Sequence, residues 1–198
     1  MWPQVPVRAK VIMAPYVLLA LIGLFAADDA GLIQLPEQPS THRLRSPRAT
    51  DKAKAQHPSR AARADIPRAA LGHYRHTCRG EVWRTRQGRR YACWAVLAAI
   101  GKVESDHGRS RAPGVRSGVN RHGCCAGPMQ FNLRDGPPST WDRWGRGDVY
   151  DLTDAARAAA RKLRADGAAR HLERAVHAYN HDWGYVAQVL ALARHYQH

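Results

Sequence analysis

A mainly α-helical domain is the fold class this sequence predicts, on three observations. Residues 94–104 are rich in helix formers, and Cys93, Leu97, Ile100 and Glu104 recur at the i, i+4, i+7, i+11 spacing of one helical face. Residues 155–163 form an alanine-rich run with Asp151 and Asp154 at its amino end and Gly167 beyond its carboxyl end, the boundary signals of a helix. No alternation of apolar and polar residues reaches a convincing strand length.

Taken in order, the 198 residues divide into three stretches. In residues 1–30, Arg8 and Lys10 precede an uncharged run, 11–27, that stops at Asp28 and Asp29. A cationic start and an apolar core make an export signal or a membrane anchor. The run falls between the roughly 7 to 15 residues of a signal core and the about 20 of a span. Cleavage after Ala27 would place bulky Phe25 where a small residue is wanted, so both readings stand. Either one leaves the remainder extracytoplasmic, secreted or anchored to the outer face of the cytoplasmic membrane.

Residues 31–68 are rich in Pro, Arg, Ala and Ser, with no run of large apolar residues after Leu35, and read as a disordered linker. Residues 69–198 remain, enough for one domain. Its helices are expected over 94–104, from about 151–154 to Gly167, over 169–179 and over 185–196, with residues 180–184 as a turn. Between the first two lies a Gly/Pro-rich region, 108–138, too long for a plain connector; long ordered loops of that kind carry function.

Lys and Arg number 31 against 16 Asp and Glu, a net charge of +15. Ten cations against five acids precede residue 69 and 21 against 11 follow, so the excess is not confined to a tail. Nucleic acid, an anionic membrane and anionic cell-wall polymers all suit such a surface. No nucleic-acid motif accompanies the cations and export removes that partner, which leaves wall polymers; the membrane is met only through the N-terminal segment.

Glu104 is the first candidate for chemistry. It continues the stripe of Leu97 and Ile100 where the helix runs out into the long loop. A carboxylate there is half desolvated, and desolvation raises its pKa toward that of a general acid working near neutrality. The alternative is a helix-end Glu paired with a neighbouring Arg.

Three segments sharpen this: Glu104-Ser105 ending a helix; Ser117 followed by Gly127-Pro128-Met129-Gln130-Phe131 in the loop; and Ala178-Tyr179-Asn180-His181 near the carboxyl end. In this order they resemble the signature segments of the lytic transglycosylases with a lysozyme-like fold, most closely the exported actinobacterial branch. The resemblance covers about residues 94–196. It implies a lysozyme-like helical domain with a long active-site loop region, acting on peptidoglycan glycan strands at the MurNAc-GlcNAc β-1,4 bond. Glu104 would be the single catalytic acid/base, giving 1,6-anhydro-muramic ends. Ser117, Met129, Gln130, Phe131, Tyr179 and Asn180 would bind substrate, with Tyr179 bonding near Glu104 or the acetamido group. Ser117 stands further from Gln130 than in shorter family members. A second carboxylate placing a water, Asp106 or Asp182 for instance, would instead make the protein a hydrolase like the goose-type lysozymes; a degenerate, wall-binding domain is the non-catalytic alternative.

All four cysteines lie in the domain, and export permits disulfides. Adjacent Cys124 and Cys125 would close a strained ring with each other, so at least one is expected to pair with Cys78 or Cys93 and tie the Glu104 helix to the cleft loop. Zinc on His73, His76, Cys78 and Cys93 lacks the usual spacing. The calcium loop of some relatives is shortened here at residues 145–151, so no metal or other cofactor is expected. Trp141 and Trp144 share a helical face that either stacks on sugar or packs in the core. The basic insertion 79–90 is a wall-docking loop or a solvated one.

Overall fold

The computed structural model describes residues 56–198. The expected export segment and residues 31–55 of the expected linker lie outside the described residues.

A helix that is apolar on every side must be enclosed, and the fold follows from one such helix. In chain order the elements are α1 (Arg60–Asp65), α2 (Arg68–Cys78), β1 (Val82–Arg84), β2 (Arg90–Ala92), α3 (Cys93–Ser105), β3 (Cys125–Ala126), β4 (Phe131–Asn132), α4 (Thr140–Trp144), α5 (Leu152–Ala165), α6 (Leu172–Tyr179) and α7 (Trp183–Gln197). The described part is therefore mainly α. Every residue of α3 from Cys93 to Gly101 is buried, a full cylinder where the sequence suggests one stripe. It packs against α7, α2 and α5. Burying each of its large side chains, Trp94, Val96, Leu97 and Ile100, contributes about 1.5 to 3 kcal/mol. On α5, Ala155, Ala156, Ala158, Ala159 and Ala160 are fully buried, and their small side chains let its backbone come close to α2 and α3. Asp151 caps α5 by accepting from the Asp154 N–H, and Asp182 caps α7 by accepting from the Gly184 N–H.

Three expectations are corrected. The linker does not extend to Arg68, because α1 belongs to the domain. Ser59 caps it, Ala62 and Ile66 are buried in the core, and the Ser59 N–H donates to the Tyr196 carbonyl at 2.9 Å. The basic insertion is not a plain loop either. β1 and β2 pair antiparallel across it, Val82 opposite Ala92 and Arg84 opposite Arg90, with Trp83 fully buried.

The cysteines pair as Cys78–Cys93, with 5.6 Å between their Cα atoms, and as Cys124–Cys125. No disulfide links α3 to the loop. Cys93 begins α3, and the 11 residues to Glu104 at 1.5 Å each place it about 16 Å from the end that meets the loop, while Cys78 lies across the β1–β2 hairpin from it. The first bond instead closes the base of the β1–β2 hairpin, and it removes the thiolates that a zinc site on Cys78 and Cys93 would need. Smaller differences are the starts of α6 at Leu172 and of α7 at Trp183.

If α1 is part of the core, Ile66→Ala should cost about 2 to 4 kcal/mol, the usual range for an emptied buried site. Urea unfolding measures it. A loss below about 0.5 kcal/mol, typical of surface positions, would return residues 56–66 to the linker.

Candidate active site

Immediately beyond Glu104 the chain turns through three left-handed residues: Asp106 (φ 53°), His107 (φ 58°) and Gly108 (φ 81°). Such a conformation costs roughly 1 to 2 kcal/mol for each residue with a Cβ, so something must hold it. Ser105 does so from inside. Its hydroxyl donates to the Pro128 carbonyl at 2.6 Å and accepts from the Gly108 N–H at 2.8 Å. The tie between helix and loop that a disulfide was expected to make is this pair of hydrogen bonds.

From outside, Asp106 is gripped by Arg109 and by Lys102, whose ammonium also reaches Asp65 at 2.6 Å. Hydrogen bonds from Arg109 first and Lys102 next hold the Asp106 carboxyl down at about 2. Asp65, Asp106 and His107 lie close enough to share a metal ion. Lys102 and Arg109 already neutralise both carboxylates, however, and the grouping is not in the cleft described next.

The loop 114–131 supplies the opposing wall. Gly127 has φ +79°, and a Cβ there would run into the Val149 carbonyl, so the Gly-Pro-Met-Gln turn requires glycine at its first position. Between this loop, the end of α3 and the end of α6 lies a cleft of about 530 Å³ whose lining includes Glu104, Asn120, Cys124, Cys125, Gln130, Phe131, Asp135, Lys162, Tyr179 and Asn180.

Glu104 is half-buried and pairs with no cation among the described residues. Among the described residues its one hydrogen bond comes from the Tyr185 hydroxyl, 2.7 Å from Oε1. Burial pushes its carboxyl up to about 7, and the Tyr185 bond moderates the rise. Tyr179 and Tyr185 are both pushed well above the ordinary phenol value, by burial first and then by Glu104. They remain protonated donors.

Of the residues expected to bind substrate, Gln130, Phe131, Tyr179 and Asn180 line the cleft with Glu104, and two do not. Ser117 is exposed beside Arg111 and Arg116 in a separate surface hollow. Residues between it and Gln130 fold into their own turn, in which the Asn120 N–H donates to the Cys125 carbonyl at 2.8 Å, and Asn120 takes the cleft position instead. Met129 is fully buried in the core, with its sulfur beside Gly101; it supplies its carbonyl, which accepts from the Tyr179 hydroxyl at 2.8 Å.

Tyr179 therefore braces the loop and does not bond to Glu104; Tyr185 does that. Gln130 is likewise braced, donating to the Gly127 carbonyl at 2.9 Å and accepting from Asn120. Trp141 packs edge-on against Phe131 at 5.4 Å between centroids and, like Trp144, rests on the core outside the cleft. Asn120 and Lys162 are among the cleft residues that sequence reasoning missed, and so is Tyr185, which holds Glu104 without lining the cleft. Of these, Tyr185 left a signal: a tyrosine on the apolar side of a helix has a hydroxyl that must find a partner.

Other carboxylates are less suited to give a proton. Asp182 is spent as the α7 cap. Asp135 lines the cleft, and although burial raises its pKa, bonds from the Thr140 hydroxyl and N–H bring it below the ordinary value.

Glu104 takes up a proton on folding. Its contribution to stability is complete below its ordinary pKa of 4.5 and is lost as pH rises through about 7. Glu104→Gln should therefore match the parent below pH 4.5 and exceed it by up to about 3 kcal/mol once the parent carboxyl is ionised, as unfolding titrations at each pH would show. Equal pH dependence of the two proteins would mean that Glu104 is not desolvated. Tyr185→Phe should move the Glu104 pKa still higher, visible in its carboxyl carbon shift.

The chain has no significant match among protein-family models, curated proteins or solved structures.

Proposed function

We infer that this chain is an exported, peptidoglycan-cleaving lytic transglycosylase, built on a lysozyme-like helical fold. The observation that carries the reading is Glu104, a carboxyl held near 7 by burial, unpaired with any cation among the described residues, at the floor of an open cleft. Support also comes from the three resembling segments, which converge on that cleft from α3, the loop and α6.

In this reading the protonated Glu104 gives its proton to the glycosidic oxygen as the C1–O bond breaks. The resulting carboxylate then takes the proton of the muramic acid C6 hydroxyl as that oxygen bonds to C1. The product is a 1,6-anhydro end, and Glu104 is returned to its acid form. Tyr185 keeps one carboxyl oxygen oriented throughout, which leaves the other to transfer the proton. Gln130, Phe131 and Asn180 line the path of the glycan strand.

One observation favours a second reading. Asp135, in the same cleft, is an anion when Glu104 is still an acid. Two carboxyls with pKa values driven apart are the acid and base of a hydrolase. In that case Asp135 would activate water and the product would be a reducing end.

Digestion of purified sacculi, followed by mass spectrometry of the fragments, separates the readings. The chain should release anhydro-muropeptides, and Glu104→Gln should lower the rate by about 10² or more, the scale of a lost acid/base. Reducing ends that vanish in Asp135→Asn would establish the hydrolase. No fragments from the parent chain would leave only a wall-binding protein.

The net charge of +15 suits the anionic polymers of the wall. Raising salt shortens the Debye length from about 10 Å at 0.1 M. Activity on intact sacculi should therefore fall with salt more steeply than activity on short uncharged glycans, and parallel salt curves would dissociate the charge from substrate.

A further inference from the structure

We propose that the pocket between the end of α2 and the arginine face of α5 is a second binding site, independent of the cleft, and that its ligand is a phosphate group. The pocket, about 240 Å³, is lined by His76, Thr77, Arg79, Arg157, Arg161 and Arg164 and shares no residue with the Glu104 cleft.

Arg157, Arg161 and Arg164 stand at the i, i+4, i+7 spacing that aligns them on one side of α5, where like charges repel. Only part of that charge is answered. Arg164 pairs with Glu81 at 2.8 Å and also donates to the Thr77 carbonyl, and Arg157 reaches Asp154 at 3.5 Å. Arg79 and Arg161 have no carboxylate partner among the described residues.

Arg161 is the more telling of the two. Its Nε donates to the Trp144 carbonyl at 2.8 Å, which fixes the plane of the guanidinium, while its Nη2 is buried without a partner. The Thr77 hydroxyl in the same pocket is buried and unpartnered as well. Burial, with repulsion from Arg146, Arg157 and Arg164, holds the Arg161 pKa below the ordinary guanidinium value. Buried donors left unbonded are unfavourable, and a ligand that accepts from them relieves that state.

The donor set selects the chemistry. It is a fixed guanidinium and a hydroxyl from two different helices, with a second, exposed guanidinium from Arg79. A planar carboxylate meets one fork well, whereas a tetrahedral phosphate offers separate oxygens to each of these groups. Two unanswered cations also match the charge of a phosphate monoester or of adjacent diesters.

The test titrates the full chain, kept soluble in nonionic detergent, with inorganic phosphate by calorimetry at ionic strength held constant with chloride. Acetate is the planar control. One saturable phosphate site per chain is expected, with acetate binding at least about tenfold weaker. Arg161→Met and Arg79→Gln should each weaken phosphate about tenfold or more, the loss of one charge-assisted bond. Arg174→Gln, which removes an equal charge from an exposed position on α6, should leave it unchanged.

Arg161→Met also cuts the tie to Trp144, so Arg79→Gln, whose side chain has no hydrogen bond among the described residues, decides the matter if the first variant misfolds. Parallel arms with a soluble glycerol phosphodiester and with phosphatidylglycerol vesicles identify the source of the group: whichever binding is lost in Arg79→Gln and kept in Arg174→Gln names it. Absence of saturable phosphate binding, or equal loss in Arg79→Gln and Arg174→Gln, overturns the site.

Discussion

The burial of α3 on all sides governs the rest of the molecule. Nine consecutive residues without a solvent face demand partners in every direction, and α2, α5 and α7 supply them. The first polar side chains of the helix, Lys102 and Glu104, come only where this enclosure ends. They leave by different routes: Lys102 goes outward to Asp65 and Asp106, and Glu104 goes inward to the cleft and Tyr185. The raised pKa of Glu104 is thus a consequence of where an enclosed helix stops. It needs no negatively charged neighbour, because desolvation alone disfavours the carboxylate.

What keeps this edge from collapsing is a set of braces from helix ends and from within the loop onto the loop backbone. Ser105 holds Pro128, Tyr179 holds the Met129 carbonyl, and Gln130 holds the Gly127 carbonyl. Each replaces a bond to water that a buried carbonyl would otherwise lose. Several residues of the resembling segments consequently serve the shape of the cleft. Met129 fills the core, and Tyr179 and Gln130 are struts whose other surfaces face the cavity. Preorganisation of this kind matters for any chemistry at Glu104, since an acid must stand within hydrogen-bond reach of the atom it protonates.

The sequence was legible where structure is local. The ends of α5, the extent of α3 and the place of Glu104 at its exit all follow from periodicity and caps. It was illegible where partners are distant. α1 has six residues with one buried alanine; its bonds go to Tyr196 and, through Asp65, to Lys102. Composition of the segment itself contains none of that, so it reads as linker. Ser117 failed for a related reason: hydrogen bonds such as that from Asn120 to Cys125 set the register of the loop, and spacing along the chain does not reveal them. The cysteine pairing differs in kind. Cys93 lies about 16 Å from the loop end of α3 by helix rise, but a loop this long can span that distance, so the pairing of Cys78 with Cys93 is set by the hairpin between them and not by spacing along the helix.

Distance also explains how a chain with a net charge of +15 preserves an uncharged acid. An opposite charge within about 4 to 6 Å of a carboxyl lowers its pKa by about 1 to 3, which would return Glu104 toward the ordinary range and leave it an anion at neutrality. The one lysine that lines the cleft, Lys162, is drawn aside by Asp166 at 2.8 Å and the Ala178 carbonyl at 3.0 Å. Its neighbour Arg161 points to the other side of α5, into the arginine pocket. A single helix thus separates two electrostatic environments, one where cations are concentrated beyond their partners and one from which they are withheld. The Ala-rich packing of α5 makes this separation possible, because small side chains let a helix lined with arginine on one side stand against the core on the other.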